Sequence, residues 1–272
     1  MTENTDAKGF DLSTYDADYP AELYALLHEG NPGDVEFYAE VCRGAQRVLE
    51  LGCGDGRVLR GLDPAIELRL GLDLHEGLLA RAKELSGTQE GLHFLRGDMR
   101  DPKAAIEAAA LEGAPLRFDR IIVPHGGLYC LLDPADLDRC LGAVHGLLAP
   151  GGELVFDVWA ADDFHGEHQP EEQDDAWQDH LGRFELEGRV LEIIERSTWD
   201  RDAQRIDVVY THVEVGAHEA VEGRLPQRYF TSEEIRARVG AAGFEDLTLA
   251  GGFDFAPLDA ASEVLVGRAR RA

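Results

Sequence analysis

Arg47-Val-Leu-Glu-Leu-Gly-Cys-Gly-Asp-Gly-Arg-Val-Leu59 is the stretch whose reading decides the fold. Val48, Leu49 and Leu51 make the apolar run of a buried parallel strand. Gly52, Gly54 and Gly56 then break it, and helical spacing resumes at Arg57. The segment therefore reads as strand, tight turn, helix, with a turn bare enough for a ligand to approach the backbone. A cofactor is expected there. The dinucleotide fingerprint G-x-G-x-x-G needs a small residue at its last position. Arg57 stands at that position, which ranks a nicotinamide-linked oxidoreductase last among the readings. The glycines instead follow Glu50-x-Gly52-x-Gly54-x-Gly56, with an acid two residues before the first.

Downstream of this stretch, strands and helices alternate, the pattern of a parallel sheet covered on both faces. Strands are expected near 68–72, 92–95, 120–123 and 153–158, with helices near 76–85, 103–111 and 136–148 between them. Such sheets bind ligands at the carboxyl ends of their strands. Asp73 ends the second strand about twenty residues beyond the first glycine, where a carboxylate can accept both hydroxyls of a ribose. Asp98 ends the third, where a carboxylate can accept an exocyclic amine of adenine while Met99 packs on the ring.

Successive segments resemble the motifs of class I S-adenosylmethionine-dependent methyltransferases: Glu50-Leu-Gly-Cys-Gly-Asp-Gly56, Gly71-Leu-Asp73, Gly97-Asp-Met-Arg-Asp101, Phe118-Asp119 and Leu148-Ala-Pro-Gly-Gly152. The resemblance spans roughly 47–158. A looser one, carried by Tyr15-Asp-Ala-Asp-Tyr19 and Arg228-Tyr-Phe-Thr231, is to small-molecule enzymes such as amino-sugar N,N-dimethyltransferases and glycine or sarcosine N-methyltransferases. The resemblance implies S-adenosylmethionine as cofactor and S-adenosylhomocysteine as its product. It implies that Gly52, Gly54 and Gly56 approach the methionine part, that Asp73 holds the ribose, and that Asp98 and Met99 hold the adenine. Arg57 and Tyr19 are candidates for the cofactor carboxylate, and Glu50, Leu74 and Pro124 complete the expected set.

Composition narrows the substrate. The 272 residues carry 53 acidic against 26 basic side chains, a net charge of −27, which would repel a phosphate backbone and disfavours a nucleic-acid substrate. The same charge favours a cationic one. No apolar run approaches the roughly 20 residues of a membrane helix and the N-terminus is acidic, so a cytoplasmic location without membrane partner is expected. Cys42, Cys53, Cys130 and Cys140 are far apart and suggest neither zinc nor disulfides. Composition leaves the oligomeric state open.

Four regions are expected: an N-terminal helical arm and lid (1–46), the cofactor-binding core (47–160), a loop and antiparallel cap (161–230) and a C-terminal completion of the core (231–272). The whole is a Rossmann-like α/β fold with a seven-stranded, mostly parallel sheet, helices on both faces and a small antiparallel insert after the fifth strand. Residues 160–181 read as a loop, in which His165, His168 and neighbouring acids lack the strand-end carboxylates a magnesium site needs. No metal is expected. Period-two runs at 189–199, 205–215 and 222–230 read as three strands. Thr231-Ser-Glu-Glu234 is a capping box for a helix ending at Gly243. Two further strands, near 246–250 and 263–268, complete the large sheet.

Methyl transfer from a sulfonium is an in-line displacement that needs alignment and removal of one proton. His125, after the fourth strand, is the candidate base, with Tyr129 beside it. Tyr15, Trp159, Arg228 and Tyr229 are the expected substrate pocket, the aromatic rings facing a cation. Methylation of an amine nitrogen in a small molecule is the leading expectation. An O-methyltransferase and a non-catalytic cofactor-binding module remain the alternatives.

Overall fold

The computed structural model describes residues 19–109, 117–167 and 178–272. Tyr15 and His168 lie outside them, and with them the expectations placed on those two residues.

Two helices open the described chain, α1 (Ala21–Leu27) and α2 (Asp34–Val41). The core then alternates β1 (Arg47–Leu51), α3 (Arg57–Gly61), β2 (Leu68–Asp73), α4 (Glu76–Ser86), β3 (Leu92–Arg96), α5 (Pro102–Ala108), β4 (Phe118–Val123), α6 (Pro134–Leu147) and β5 (Leu148–Trp159). After a short helix, α7 (Asp162–Glu167), come β6 (Gln178–Leu186), β7 (Arg189–Asp200), β8 (Arg205–Glu214) and β9 (Ala220–Arg228). The chain closes with α8 (Ser232–Ala241), β10 (Glu245–Ala250) and β11 (Val264–Arg270).

The large sheet has seven strands in the order β10-β11-β5-β4-β1-β2-β3. β1 to β5 pair in parallel, while β11 runs antiparallel to both β5 and β10. Both faces are covered, which is why consecutive residues of β1 and β4 are apolar rather than alternating: Val48, Leu49, Leu51, Ile121, Ile122 and Val123 are all 0% exposed. One face packs on α6 and α8 through Leu137, Leu141, Val144, Ile235 and Val239. The other packs on α2, α3 and α4 through Phe37, Tyr38, Val58, Leu59 and Leu79. The strand order reverses between β1 and β4, and the crevice beyond their carboxyl ends is where such a sheet receives a ligand.

The local signals at the helix starts are honoured. Thr231 Oγ1 accepts the Glu234 N–H at 3.3 Å, the first half of a capping box, and Asp133 accepts the Ala135 N–H at 2.7 Å ahead of Pro134. Gly56 caps α3 at φ 77, and a Cβ there would lie 2.6 Å from the Phe94 ring, so glycine lets α3 sit down on β3 and α4.

Two expectations about the insert are corrected. The antiparallel sheet has four strands, not three, in the order β6-β7-β8-β9, and residues 162–167 are helical rather than loop. The extra strand, β6, is an edge with a register shift at His180/Gly182 and mostly exposed side chains. A strand that buries little carries little of the alternation by which strands are recognised. Its neighbours bury Leu191, Ile193, Val208, Tyr210 and Leu225 against Tyr19 and Leu23 of the N-terminal arm, which fixes this cap sheet over the crevice. Among the described residues, no helix is long and apolar enough to cross a membrane.

Candidate active site

The crevice holds a cavity of about 750 Å³, walled by the ends of β1 to β4, by α1 and by the cap sheet. At the end of β1, the Gly52 and Cys53 N–H groups both donate to Leu72 O, at 2.8 and 3.0 Å, which folds the turn back over β2. Gly52 and Gly54 line the cavity at φ 69 and 51. A Cβ on Gly54 would meet nothing within 4 Å and one on Gly52 would meet only Met99, so the bare turn faces open space. Gly56 does not line the cavity; its lack of a side chain serves the packing described above.

Asp73 comes from the end of β2. Its two carboxylate oxygens already accept the Gly54 N–H at 2.7 Å and the His75 N–H at 2.8 Å, which fixes the group while each oxygen keeps a lone pair toward the cavity. Burial raises its pKa and these hydrogen bonds oppose the rise. Glu50 is 2% exposed and its Oε2 has no hydrogen-bond partner among the described residues. Burial drives this carboxyl well above the usual range, and Arg57 offsets part of that. A buried carboxylate oxygen without a donor is costly unless a ligand donor or cation satisfies it.

Asp98 lines the cavity beside Met99 and Leu74. Its carboxylate is gripped by Arg100, through Nε at 2.8 Å and Nη2 at 2.5 Å. Burial pushes its pKa up, but this arginine outweighs the effect and holds it below the usual range. Arg57 also reaches the cavity wall, yet its guanidinium is closed on Asp34 by two bonds of 2.6 Å.

At the end of β4, Pro124 and His125 enter the cavity wall. His125 has φ 51 and Gly126 φ 72, two successive left-handed residues that turn the chain sharply across the crevice. Burial and then Arg57 hold the His125 imidazole below its ordinary pKa, so it is neutral at neutral pH. Opposite stands His28, with ring centroids 6.3 Å apart, pushed down to about 3 by burial, then by His125 and His212.

Of the residues expected from sequence, the cavity brings together Tyr19, Glu50, Gly52, Gly54, Arg57, Asp73, Leu74, Asp98, Met99, Pro124 and His125. Besides Gly56, four others lie elsewhere. Tyr129 is fully buried, and its hydroxyl donates to Trp159 O and Phe230 O at 2.8 and 3.1 Å, so it ties β5 to the chain after β9 rather than facing a substrate. Tyr229 is also fully buried, its hydroxyl hydrogen-bonded to His165 Nδ1 at 2.9 Å and to Trp199 Nε1 at 3.2 Å. Trp159 packs against Tyr129, Tyr229 and Phe164 in that cluster. Arg228 pairs with Glu234 at 3.2 Å and lies over Phe230. The cap does reach the cavity through other side chains: Arg224, Leu225 and Gln227 of β9 line it, with Arg205 of β8.

The structure adds Tyr24, Ala25, His28 and Glu29 to the wall. Tyr24 and Ala25 belong to α1, and His28 and Glu29 follow its end; Tyr24 also packs with Leu26 and Leu27 on the cap.

Residues 48–152 match a family model described as a methyltransferase domain. YqeM of Bacillus subtilis (strain 168), a methyltransferase by name, is 26% identical over 234 residues, covering 83% of this chain and 84% of that protein. Residues 48–152 form a methyltransferase domain. The enzyme has the class I fold of the CcbJ methyltransferase from Streptomyces caelestis, with a TM-score of 0.73 at 24% identity over 95% of this chain and 98% of that one. It also resembles the sugar N-methyltransferase KedS8 from Streptoalloteichus sp., with a TM-score of 0.64 at 24% identity over 92% and 93% of the two chains. The donor set fits the cofactor: a bare glycine turn facing open space, a fixed carboxylate at β2 and an unpartnered buried carboxylate oxygen suit a ligand with hydroxyls and cationic groups.

Proposed function

We propose that the enzyme methylates an amine nitrogen of a small molecule, and that the observation carrying this reading is the neutral His125 imidazole on a cavity wall shared with Glu29, Glu50, Asp73 and the Tyr24 and His28 rings. Acidic side chains and ring faces draw in a cationic acceptor and hold it. An amine presents its lone pair only after losing a proton, and a neutral imidazole within reach accepts it.

The glycine turn at Gly52 and Gly54, Glu50 and Asp73 would hold the methionine part and ribose of the cofactor, with Leu74, Asp98 and Met99 at the adenine. When bound, S-adenosylmethionine supplies an electrophilic methyl group on a sulfonium. The protein's part is alignment and exclusion of water, for which the cap sheet and α1 close the crevice from the side opposite the strand ends. Glu50 stays beneath the turn as the partner for a cationic group. His125, carried by the turn after β4, faces the space between turn and cap where the acceptor enters. The likeness to a sugar N-methyltransferase agrees with an amine acceptor.

The test is transfer of a radiolabelled methyl group from S-adenosylmethionine across matched panels of small amines and hydroxy or carboxylic acids. Label should appear in amine products. Label confined to oxygen-linked products would replace this reading with the O-methyltransferase one.

A further inference from the structure

Behind the cavity wall lies a buried group that the reading above does not use. Asp157, in the last turn of β5, is 1% exposed. Its Oδ1 accepts two donors, the Tyr38 hydroxyl of α2 at 2.6 Å and the His125 backbone N–H at 2.9 Å. Its Oδ2 takes Asn31 Nδ2 at 3.4 Å, and its own carbonyl oxygen accepts the Gly126 N–H at 2.9 Å. Asp157 thus holds both left-handed residues of the turn, one by its side chain and one by its backbone.

The sheet explains why this is possible. β4 and β5 run parallel with Val123 opposite Phe156, so the residue after Phe156 stands beside the chain just as it leaves β4. A histidine at φ 51 is a sparsely populated conformation that persists only where its surroundings impose it. A hydrogen bond from its N–H to a buried carboxylate is the strong kind, roughly twice a neutral one. Asp34 and Arg57 face the same carboxylate, and their mutual pairing leaves its acceptor sites to Tyr38, His125 and Asn31.

We propose that Asp157, braced by Tyr38, is the positioning residue for His125: it fixes the left-handed turn after β4 and thereby the direction in which the imidazole enters the cavity. The proposal rests on His125 being the base, but it is tested by where the ring points rather than by turnover.

The experiment uses the full chain labelled with ¹³C-histidine, with S-adenosylhomocysteine as the probe. In the wild type, the His125 Cε1–H resonance should move when the probe is added. In D157N the probe should still bind, with Kd within about threefold of wild type. There the His125 resonance should leave its wild-type position and broaden or split, while the other cavity histidines, His28 and His75, keep theirs. Y38F, which removes one hydroxyl and leaves the carboxylate, should displace the same resonance less. A D157N spectrum in which His125 superimposes on wild type, with and without the probe, overturns the proposal. If D157N loses its circular dichroism, Y38F decides, and an unmoved His125 there overturns it equally. A separate H125A variant with undiminished methyl transfer would reject the base assignment while leaving the positioning result intact.

Discussion

Arg57 and Asp34 form a two-bonded ion pair, Nη1 and Nη2 each 2.6 Å from a carboxylate oxygen, with the Asp34 side chain 2% exposed. The pair joins α2 to the first turn of α3 and so holds the arm against the cofactor turn. Gly30, at φ +90, makes room for it: a Cβ there would lie 2.0 Å from Arg57 Nη2. Gly30→Ala and Asp34→Ala should each lower stability by about 2 kcal/mol, through a displaced or unpaired buried charge. Urea denaturation monitored by circular dichroism measures this. A loss near zero in both variants would mean that the pair is decoration rather than a brace.

The sequence puts Tyr129 with His125 in the segment after the fourth strand, as a catalytic candidate whose ring could wall the pocket. In the structure its hydroxyl is hydrogen-bonded to two backbone carbonyls and is shut off from the cavity. Tyr129→Phe should therefore cost about 1–2 kcal/mol of stability, from leaving those carbonyls unpaired, and leave kcat within error of wild type. A large fall in kcat with unchanged stability would restore the catalytic reading.

His28 links pH to stability. Its folded pKa is lowered to about 3, while an unfolded histidine titrates near 6.5. Between those values the unfolded chain takes up a proton that the folded chain refuses, so the contribution is complete above pH 6.5 and is lost as pH falls toward 3. His28→Gln should remove it and shrink the difference in unfolding free energy between pH 7 and pH 5 by about 2 kcal/mol. Identical pH dependence in the two proteins would contradict the burial of this imidazole.

His125 is also depressed, by burial first and Arg57 second. The acid limb of kcat/KM should accordingly fall below the ordinary imidazole range, at a pH under about 6.5. The residual rate of His125→Ala should lack that limb. The measurement is a pH–rate profile at saturating cofactor with an acceptor drawn from the amine panel.

The contrast between these residues explains how much the sequence discloses. The seven-stranded sheet was legible because both its faces are buried, which gives β1 and β4 consecutive apolar residues between helical periods. Asp73 and Asp98 were legible because the topology sends every parallel strand's carboxyl end to one crevice. Trp159, Arg228 and Tyr229 were misplaced because their partners Phe164, Glu234 and Trp199 come from other elements, so only tertiary packing decides where these side chains lie. β6 was missed because an exposed edge strand buries too little to show a pattern. Asp157 ends a strand that the same carboxyl-end rule points to, but its partners gave no local signal, since Tyr38 and His125 are 119 and 32 residues away.

The measurement that bears most directly on the cofactor site is calorimetric titration of S-adenosylhomocysteine into wild type and Asp73→Ala. The wild type should bind one equivalent, and the variant should keep its circular dichroism while Kd rises at least about tenfold, the loss of one to two charge-assisted hydrogen bonds. Equal affinity in the two folded proteins would contradict the placement of the cofactor against Asp73 and the glycine turn.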